Sequence, residues 1–395
     1  MGFRVLHCVA SFDRGAGGVG TVVKNLACQQ ARNCGLDVAV LTIDYSDVDR
    51  HDGTPLDVPG VLVSREPLVG PPQLGFSPWL HRAILGSRAD VWHVHGMWMY
   101  MSFASAVASR RLGRRYVVSP HGMLDSWALQ RNPWRKRLVS ALLEKRHIGR
   151  AGCLHALSEQ EAAMIRRFGA TGPICVVPNG VRLPKGHTGL PPPWQDRFPR
   201  GRKVALCLGR LHPKKGLANL IKGFHQATTR RGNTDWAVAI AGWDQDGHRE
   251  ELERLVRALE VGGQVVVLGP QHEGEATACF ENAAAFVLPS FSEGLPMVIL
   301  EAWSHGLPVV MTRECNIADG FDRDAAIEVR PTPESVAAGL TDLFDMSPSE
   351  RAAMGARGRS LVESQFTWTR VAEDLKKVYA WVKGGGPPPM SVLTT

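Results

Sequence analysis

The stretch "AAFVLPSFSEGLPMVILEAWSHGLPVV", residues 284–310, contains the pattern that decides the fold. Its first apolar run ends at Pro289-Ser290 and is typical of a buried strand. The turn at residues 291–294 leads into a helical pattern that stops at Gly306, and the apolar run "LPVV" follows directly. Pro296 suits the first position of this helix, because its missing N–H costs nothing there. A strand, a helix and a second strand in succession predict a parallel sheet whose faces are covered by helices.

The same alternation recurs along the 395-residue chain. The strand-like runs of the first half are FRVLHCVA, VAVLTI, DVWHVHG, RRYVVSPHG, GCLHALS and ICVVPNGV. Those of the second half are KVALCLGRL, WAVAIAG, QVVVLGP, AAFVLPS and LPVVMT. Because each series supplies its own buried strands, the sequence predicts two doubly wound, Rossmann-like α/β domains.

The domain boundaries follow from composition and periodicity. We expect a first domain at residues 1–185 and a second at 203–365, joined by a linker at 186–202 that is rich in proline, glycine and charge. A helical pattern covers residues 366–382. The segment 384–395, "GGGPPPMSVLTT", offers little apolar surface and is predicted to be a disordered tail.

Charge is unevenly distributed between the halves of the chain. Residues 1–200 carry 25 Lys and Arg against 14 Asp and Glu, and residues 201–395 carry 21 against 24. The excess is densest in residues 101–150, with 11 basic and two acidic side chains. A basic half suits an anionic membrane, an anionic acceptor or nucleic acid. Nucleic acid is disfavoured because the basic residues are not interleaved with stacking aromatics and belong to no known recognition module.

Cysteine usage and hydropathy indicate a cytoplasmic protein. The eight cysteines are scattered singly, with no C-x-x-C pair, which suits a reducing compartment and argues against structural zinc. No apolar run approaches ~18 residues, so no membrane span is predicted. The start "MGFRVLHCVASF" does not resemble a secretory signal and is predicted to be the first strand.

Two carboxylates mark the helix within residues 284–310. Glu293 stands before the helix, beside the backbone N–H groups of Gly294 and Leu295, where the positive helix end favours an anion. Glu301 lies within the helix. The alternative is that neither acid binds a ligand. Glu293 would then be an ordinary acid at a helix start, and Glu301 a solvated residue of the helix. The apolar character of the helix argues against it, since a buried carboxylate needs a partner.

A second motif, "LGRLHPKKG" at Leu208–Gly216, follows the first strand of the second domain. Gly209 permits close backbone approach, and Arg210 and Lys215 could clamp a diphosphate, Arg as a planar fork and Lys as a point charge. A solvated basic loop is the alternative reading.

A glycine-rich loop follows the first strand of the first domain. Gly15, Gly17, Gly18 and Gly20 include the G-x-G-x-x-G spacing of dinucleotide sites, which is weak evidence alone. Such a site also needs an acid that binds the ribose, at the end of the second strand and about 20 residues further on. The available residue, Asp44, lies somewhat later in the sequence than this. A hydride-transfer enzyme therefore stays open at this point.

Three histidines follow strands of the same domain: His93, His95 and His121. Histidines at strand ends on one domain edge favour a cleft, although a lone loop histidine is more often structural. No compact Asp/His set with metal-ligand spacing stands out in the sequence, so no metal site is predicted.

Taken together, these motifs resemble the retaining glycosyltransferases of family 4, which have the GT-B architecture of two Rossmann-like domains facing across a cleft. The resemblance is carried by the glycine-rich loop, "SPHG" with His121, "VVPNGV", "LGRLHPKKG" and "PSFSEGLPMVILEA", in that order over nearly the whole chain. The stretch "PHGMLDSWAL" is similar, more loosely, to members from bacterial surface-polysaccharide pathways.

The resemblance implies a role for each candidate residue. The second domain would hold a UDP- or GDP-sugar, with Arg210 and Lys215 on the diphosphate and Glu301 on the ribose. Glu293, with Gly294 and Leu295 nearby, would contact the sugar. His121 and the Gly17-Gly18 loop would approach from the first domain, and the helix at residues 366–382 would return to that domain. Such enzymes need no bound metal or other cofactor, because the cations act in its place.

We therefore expect a hexosyl transfer with retention to a hydroxyl acceptor, a sugar or a lipid-linked sugar, in bacterial polysaccharide or glycoconjugate synthesis. The alternatives are a sugar-nucleotide epimerase or phosphorolytic enzyme on the same fold, and a non-catalytic nucleotide-sugar-binding subunit. Residues 132–150, "NPWRKRLVSALLEKRHIGR", predict a basic amphipathic helix. It either packs in the core or meets anionic lipid on the inner face of the membrane.

Overall fold

The computed structural model describes residues 2–13, 17–46, 48, 58–124, 144–232 and 235–394. The chain divides into two compact units, one formed by Met1–Gly180 with Trp368–Thr395 and the other by Val181–Thr367. Each unit contains a mainly parallel sheet covered by helices. The predicted fold class, two Rossmann-like α/β domains, is confirmed.

The described part of the first unit alternates strands with helices. Its strands are β1 (Arg4–Val9), β2 (Asp37–Asp44), β3 (Leu62–Pro67), β4 (Val91–His95), β5 (Val117–Ser119), β6 (Cys153–Ala156), β7 (Ile174–Val176) and the late β14 (Val392–Leu393). Its helices are α1 (Gly17–Asn33), α2 (Leu80–Gly86), α3 (Tyr100–Leu112), α4 (Lys145–Arg150), α5 (Glu159–Arg167) and the late α13 (Trp368–Gly384).

Among these residues the first sheet has the strand order β14-β7-β6-β5-β4-β1-β2-β3, with β14 antiparallel to β7 and the other pairs parallel. Alternate residues of each strand face opposite sides. Leu6 and Cys8 of β1 join one apolar cluster, while Val5 and Val9 join the other, where α13 packs. His7 lies between Val5 and Val9, so the alternation puts its imidazole on the α13 face.

The second unit has the same plan. Its strands are β8 (Lys203–Leu208), β9 (Trp236–Ala241), β10 (Val265–Leu268), β11 (Ala285–Leu288), β12 (Val309–Thr312) and β13 (Ala326–Val329). Its helices are α6 (Leu217–Arg231), α7 (His248–Ala258), α8 (Glu273–Asn282), α9 (Met297–Ser304), α10 (Asp319–Asp322), α11 (Pro333–Asp345) and α12 (Pro348–Gln365).

The second sheet, within the described residues, is parallel throughout and ordered β10-β9-β8-β11-β12-β13. The chain reverses its direction of winding between β8 and β11, which therefore lie side by side. Trp303 of α9 is fully buried, and its indole Nε1 donates to the Ala325 carbonyl at 3.0 Å. At such a reversal the loops after the two central strands open a crevice for a ligand.

The segment predicted as a linker packs on the second unit. Trp194 and Phe198 are 4% and 8% exposed and belong to the apolar core of that unit. The units divide instead at Gly180–Val181 and Thr367–Trp368. The predicted boundaries at 185 and 203 differ from these divisions. The proline-rich composition of the segment did not indicate that two of its large side chains anchor it to the second unit.

The last helix, α13, belongs to the first unit, where Val371, Leu375 and Val378 are buried. The prediction that residues 384–395 form a disordered tail is wrong, because part of this segment packs on the first unit. Val392 is buried, and β14 pairs with β7 in the register Val392↔Cys175. Strand β7 would otherwise present an open sheet edge, and the tail supplies the missing backbone partners.

Candidate functional site at the carboxyl edge of the second sheet

The loops after β8 and β11 are locked together at the carboxyl edge of the second sheet. Gly216 has a φ of 67°, and a Cβ there would overlap the Pro289 carbonyl oxygen. The Phe291 N–H donates to the Lys214 carbonyl at 2.8 Å. Only glycine permits this approach, so Gly216 is required where the two loops meet.

Lys215 and Glu293 form a largely buried ion pair across these loops. Lys215 Nζ lies 2.7 Å from Glu293 Oε1, and the two side chains are 13% and 11% exposed. Ser290 donates its hydroxyl to the same oxygen at 2.6 Å. The lysine ammonium can donate two further hydrogen bonds, so the pair presents both a cation and a held carboxylate to a ligand.

The backbone of Glu293 is also held in place. Its N–H donates to the Glu314 carbonyl at 2.9 Å, and its carbonyl accepts from Asn316 Nδ2 at 2.6 Å. Asn316 has a φ of 59°, a left-handed conformation that asparagine tolerates better than most residues. Sequence reasoning missed Ser290 and Asn316; an asparagine ending a short turn after a strand was the available signal.

Arg210 lies in the same loop as Lys215, and its side chain contacts residues that follow β9. Its guanidinium donates to Gln245 Oε1 at 3.1 Å and lies over the Trp243 ring at 5.9 Å from the centroid. Arg210 is exposed, and the structure gives it no contact with Glu293. The backbone passes closely here, because a Cβ at Gly242 would overlap the Gly209 carbonyl oxygen. The Arg210 guanidinium therefore lies on the β9 side of the loop.

Helix α9 begins one residue later than the sequence suggested. Pro296, expected at the first helical position, is the extended residue before it, with a φ of −76° and a ψ of 102°. Gly294 and Leu295 are half-buried in the turn that precedes it. They place the start of an eight-residue helix next to Glu293.

Glu301 is a half-buried carboxylate on α9. Desolvation by burial raises its pKa to about 6. Among the described residues, none donates a hydrogen bond to its side chain. A carboxylate in this situation is stabilised by hydroxyl donors, because they supply the hydrogen bonds that burial removed.

The candidate residues of the first unit lie at strand β5 and helix α1. Gly17 and Gly18 begin α1, and Gly18 is exposed, whereas Gly15 lies outside the described residues. His121 has a φ of 53° and is half-buried, and its Nε2 lies 2.9 Å from His95 Nδ1. The next residue, Gly122, donates its N–H to Glu161 Oε1 at 2.6 Å.

His93 and His95 do not line an open edge as expected. They are 0% and 4% exposed, inside β4 rather than beyond it, because the strand continues to His95. The register of β1 with β4 sets His7 opposite His93. Ligand atoms of His7, His93 and His95 come within 4.8 Å of one another, a cluster that their spacing in sequence concealed.

The basic segment at 132–150 is described only from residue 144 onward, where α4 covers Lys145–Arg150. The prediction of a longer amphipathic helix thus lies mostly outside the described residues. No helix in the described ranges has the length and apolar content needed to cross a membrane.

Two family models match the chain. Residues 17–180 match "Glycosyl transferase 4-like domain", and residues 193–361 match "Glycosyl transferases group 1". The matches fall on the first and second units respectively and together cover most of the chain.

Curated relatives carry transferase names. The chain is 25% identical over 399 aligned residues to a GDP-mannose:cellobiosyl-diphosphopolyprenol alpha-mannosyltransferase of Komagataeibacter xylinus, covering 98% of this chain and 95% of the relative. It is 33% identical to a D-inositol 3-phosphate glycosyltransferase of Pseudarthrobacter chlorophenolicus over 57% of this chain and 54% of the relative.

Solved structures share the fold. A sucrose-phosphate synthase from Thermosynechococcus elongatus superposes with a TM-score of 0.75 at 18% identity, covering 97% of this chain and 100% of that one. The Anabaena protein HepE in complex with UDP and glucose gives 0.71 at 14% identity, covering 96% and 99%.

Proposed function

The chain belongs to the family 4 type of glycosyltransferases, and we propose that it transfers a hexosyl unit from a UDP- or GDP-sugar to a hydroxyl acceptor with retention of anomeric configuration. The observation that carries this proposal is the largely buried Lys215–Glu293 ion pair between the loops after β8 and β11. The same unit contains Glu301, whose carboxylate accepts no hydrogen bond from the described residues. A cation and a carboxylate at the sheet edge, with a second carboxylate on the helix that follows, suit a ligand with a diphosphate and two sets of hydroxyls.

The donor is proposed to lie along the carboxyl edge of β8 and β11. Lys215 and Arg210 neutralise the diphosphate, and the N–H groups of Gly294 and Leu295 at the start of α9 add to this positive field. Glu301 accepts from the ribose hydroxyls. Glu293 accepts from hydroxyls of the transferred sugar through the oxygen that does not bind Lys215.

The reaction is proposed to occur on one face of the sugar. The bond from the anomeric carbon to the diphosphate oxygen breaks, and a bond from the same carbon to the acceptor oxygen forms on the same side. The acceptor proton passes to the departing phosphate oxygen. Lys215 and Arg210 stabilise the negative charge that grows on the diphosphate, which is where preorganised cations lower a barrier most.

Glu293 suits an orienting role better than a nucleophilic one. Its Oε1 already accepts from both Lys215 Nζ and Ser290 Oγ, and these donors withdraw negative charge from the carboxylate. We propose that His121 orients a hydroxyl of the sugar or of the acceptor and is not the sole base. No metal is required in this scheme, so activity is expected to survive a chelator.

The relatives suggest the first substrates to test. Mannosyltransferases whose names specify GDP-mannose and a cellobiosyl-diphosphopolyprenol acceptor align with most of the chain. We propose GDP-mannose as the first donor and a lipid-linked sugar as the acceptor class. Peripheral binding to the inner face of the membrane remains part of the proposal, and salt-sensitive binding to anionic but not neutral vesicles would support it.

A panel of nucleotide sugars tests the donor. The matching donor should raise the melting temperature by mass action. Labelled donor should then be consumed only when acceptor is added. Turnover of donor without acceptor would favour an epimerase or phosphorolytic enzyme, and binding without any turnover would favour a non-catalytic subunit.

A further inference from the structure

A continuous network of hydrogen-bonded side chains crosses the α13 face of the first sheet. We call it the histidine network; its members, in hydrogen-bond order, are His121, His95, His7, Gln30, Tyr379, His93, Ser119 and His155. Seven of the eight are almost fully buried, and His121 is half-buried at one end. Strands β1, β4, β5 and β6 and helices α1 and α13 all contribute members.

The far end of the histidine network fixes the direction of its hydrogen bonds. His155 Nε2 lies 2.7 Å from the Val177 carbonyl oxygen, which can only accept. His155 therefore carries its proton on Nε2, and its Nδ1 accepts from Ser119 Oγ at 2.6 Å. The Ser119 oxygen in turn accepts from His93 Nε2 at 2.6 Å.

The same direction continues through the middle of the network. Because His93 Nε2 donates, its Nδ1 accepts from the Tyr379 hydroxyl at 2.7 Å. The Tyr379 oxygen accepts from Gln30 Nε2 at 3.3 Å, and Gln30 Oε1 accepts from His7 Nε2 at 2.8 Å. The Gln30 amide therefore has its Nε2 toward Tyr379 and its Oε1 toward His7, which agrees with the direction set by the Val177 carbonyl.

At its other end, the network reaches His121, the candidate site residue. His7 Nδ1 accepts from His95 Nε2 at 2.9 Å, and His95 Nδ1 accepts from His121 Nε2 at 2.9 Å. Each ring N–H and each hydroxyl of the network donates one hydrogen bond, and the last unassigned ring atom is His121 Nδ1, which has no hydrogen-bond partner among the described residues.

We propose that the histidine network locks His121 in the Nε2–H tautomer, so that its Nδ1 is a fixed hydrogen-bond acceptor for a hydroxyl group of the substrate. The inference rests on the proposed function, which gives His121 a substrate-orienting role. Tyr379 and Gln30, far along the network from His121, act as positioning residues. The tautomer of an imidazole is set by the bond its other nitrogen makes, and here that bond is determined by the seven other members of the network in series, which end at the Val177 carbonyl.

Two further observations support the assignment. Desolvation lowers the pKa of His7 and His155 to about 4 and of His121 to about 3, and it lowers those of His93 and His95 well below 6.5. The rings are therefore neutral at pH 7, as a one-directional network requires. Although His7, His93 and His95 are close enough to share a metal ion, all six of their ring nitrogens already bind protein groups.

Removing the Tyr379 hydroxyl breaks the link between the Val177 end and His121. The Gln30 amide can then turn over and donate to His7, and the protons of His7, His95 and His121 can all move to the opposite nitrogens. Both tautomers of His121 become accessible. If they are equally populated, about half of the molecules present the acceptor, and kcat falls about twofold.

Nitrogen NMR of the full-length protein labelled at histidine tests the proposal, with His121 assigned by its loss in His121→Gln. We expect an unprotonated Nδ1 and a protonated Nε2 in the wild type, and averaged signals for both in Tyr379→Phe. Tyr116→Phe is the matched control, because Tyr116 is a buried tyrosine of the same unit whose hydroxyl lies 2.9 Å from His147 Nδ1, outside the network. It should leave the His121 signals and kcat unchanged.

A protonated Nδ1 on His121 in the wild type would overturn the proposal, as would a Tyr379→Phe spectrum identical to the wild type. Should Tyr379→Phe fail to fold, Gln30→Met takes its place in the experiment, because it breaks the network at the adjacent hydrogen bond. The tautomer is read without any substrate, so failure of this proposal is distinguishable from failure of the proposed transferase activity.

Discussion

Lys215 Nζ and Glu293 Oε1 lie 2.7 Å apart, although the two residues are separated by 78 positions in the sequence. Their strands, β8 and β11, are neighbours in the sheet, and Gly216 lets the two loops touch. Because both side chains are nearly buried, removing either one leaves the other's charge without its partner. The cation proposed for the diphosphate and the carboxylate proposed for the sugar are therefore energetically coupled.

This coupling can be measured by a double-mutant cycle. Lys215→Met should lower kcat by about 10²–10³, the typical cost of losing one electrostatic contact to a growing charge. The double variant Lys215→Met/Glu293→Gln should lose less than the two single losses combined, with a coupling of about 1–3 kcal/mol. Lys214→Met, in the same turn, is the control and should keep most of the activity. Additive losses would contradict a coupled pair.

Glu293 and Glu301 should separate turnover from nucleotide binding. Glu293→Gln should reduce kcat while leaving the affinity for the free nucleoside diphosphate nearly unchanged, because its proposed partner is the transferred sugar. Glu301→Ala should weaken the binding of donor and free nucleotide alike. Steady-state kinetics together with calorimetric titration of the nucleotide checks both, and a fully active Glu293→Gln enzyme would remove that residue from the site.

Nucleotide affinity should depend on pH through Glu301. Its pKa is about 6 in the ligand-free protein, and ribose hydroxyls donate better to the ionised form. Affinity should therefore be highest above pH 7 and fall as pH drops through 6. Glu301→Gln should bind about 10–100-fold more weakly at pH 8, the cost of losing a hydrogen bond to a charged group, and lose this pH dependence.

The matched control is Glu363→Gln, which removes an exposed carboxylate of the same unit paired with Arg359. Its pH profile of nucleotide binding should match the wild type. If Glu301→Gln kept the pH dependence of the wild type, another group would have to be responsible.

Gly216→Ala should impair both stability and activity. The substitution adds backbone strain at a φ of 67° and an overlap with the Pro289 carbonyl oxygen. Gly247→Ala is a close control, because its φ is 82° and nothing lies within 4 Å of the added Cβ. We expect Gly247→Ala to cost about 1–2 kcal/mol of unfolding free energy and Gly216→Ala distinctly more. Equal costs in urea unfolding would show that the loops do not need this contact.

Acid should destabilise the first unit through the histidine network. A histidine whose pKa is lowered by folding takes up a proton more readily in the unfolded chain, so the unfolding free energy falls as pH falls below 6.5. For His7 and His155 the loss should continue to about pH 4, at up to about 1.4 kcal/mol per pH unit for each group.

Unfolding midpoints between pH 7.5 and 5 check this dependence. His155→Gln should reduce its slope, whereas His187→Gln, at a side chain 88% exposed in the other unit, should not. A slope unchanged by His155→Gln would mean that this ring is not held neutral by the fold.

Periodicity predicted much of this molecule, because parallel strands buried on both faces leave an apolar pattern in the chain. The motifs at Leu208–Gly216 and 284–310 also drew attention to Lys215 and Glu293 before any contact was known. Their ion pair was not predictable, since it depends on β8 and β11 being neighbours. Ser290 and Asn316 escaped notice because a single polar residue in a loop has no distinctive spacing.

The histidines show where sequence reasoning fails. The motif "DVWHVHG" suggested an exposed strand end, but the strand extends through His95 and helix α13, from the other end of the chain, covers that face. Nothing local to His93 indicates that Tyr379 will reach it. The tail was misjudged for the same reason, since the open edge of β7 that Val392 covers is created by residues far away in sequence.

The most direct test of the account is the anomeric configuration of the product. Wild-type protein is incubated with isotope-labelled GDP-mannose, or with the donor that the binding panel selects, and a lipid-linked sugar acceptor. NMR of the anomeric carbon then identifies the linkage. We predict that an α-configured donor gives an α-linked product that forms only with acceptor present and is nearly lost in Lys215→Met. A β-linked product would contradict the one-face mechanism at this site.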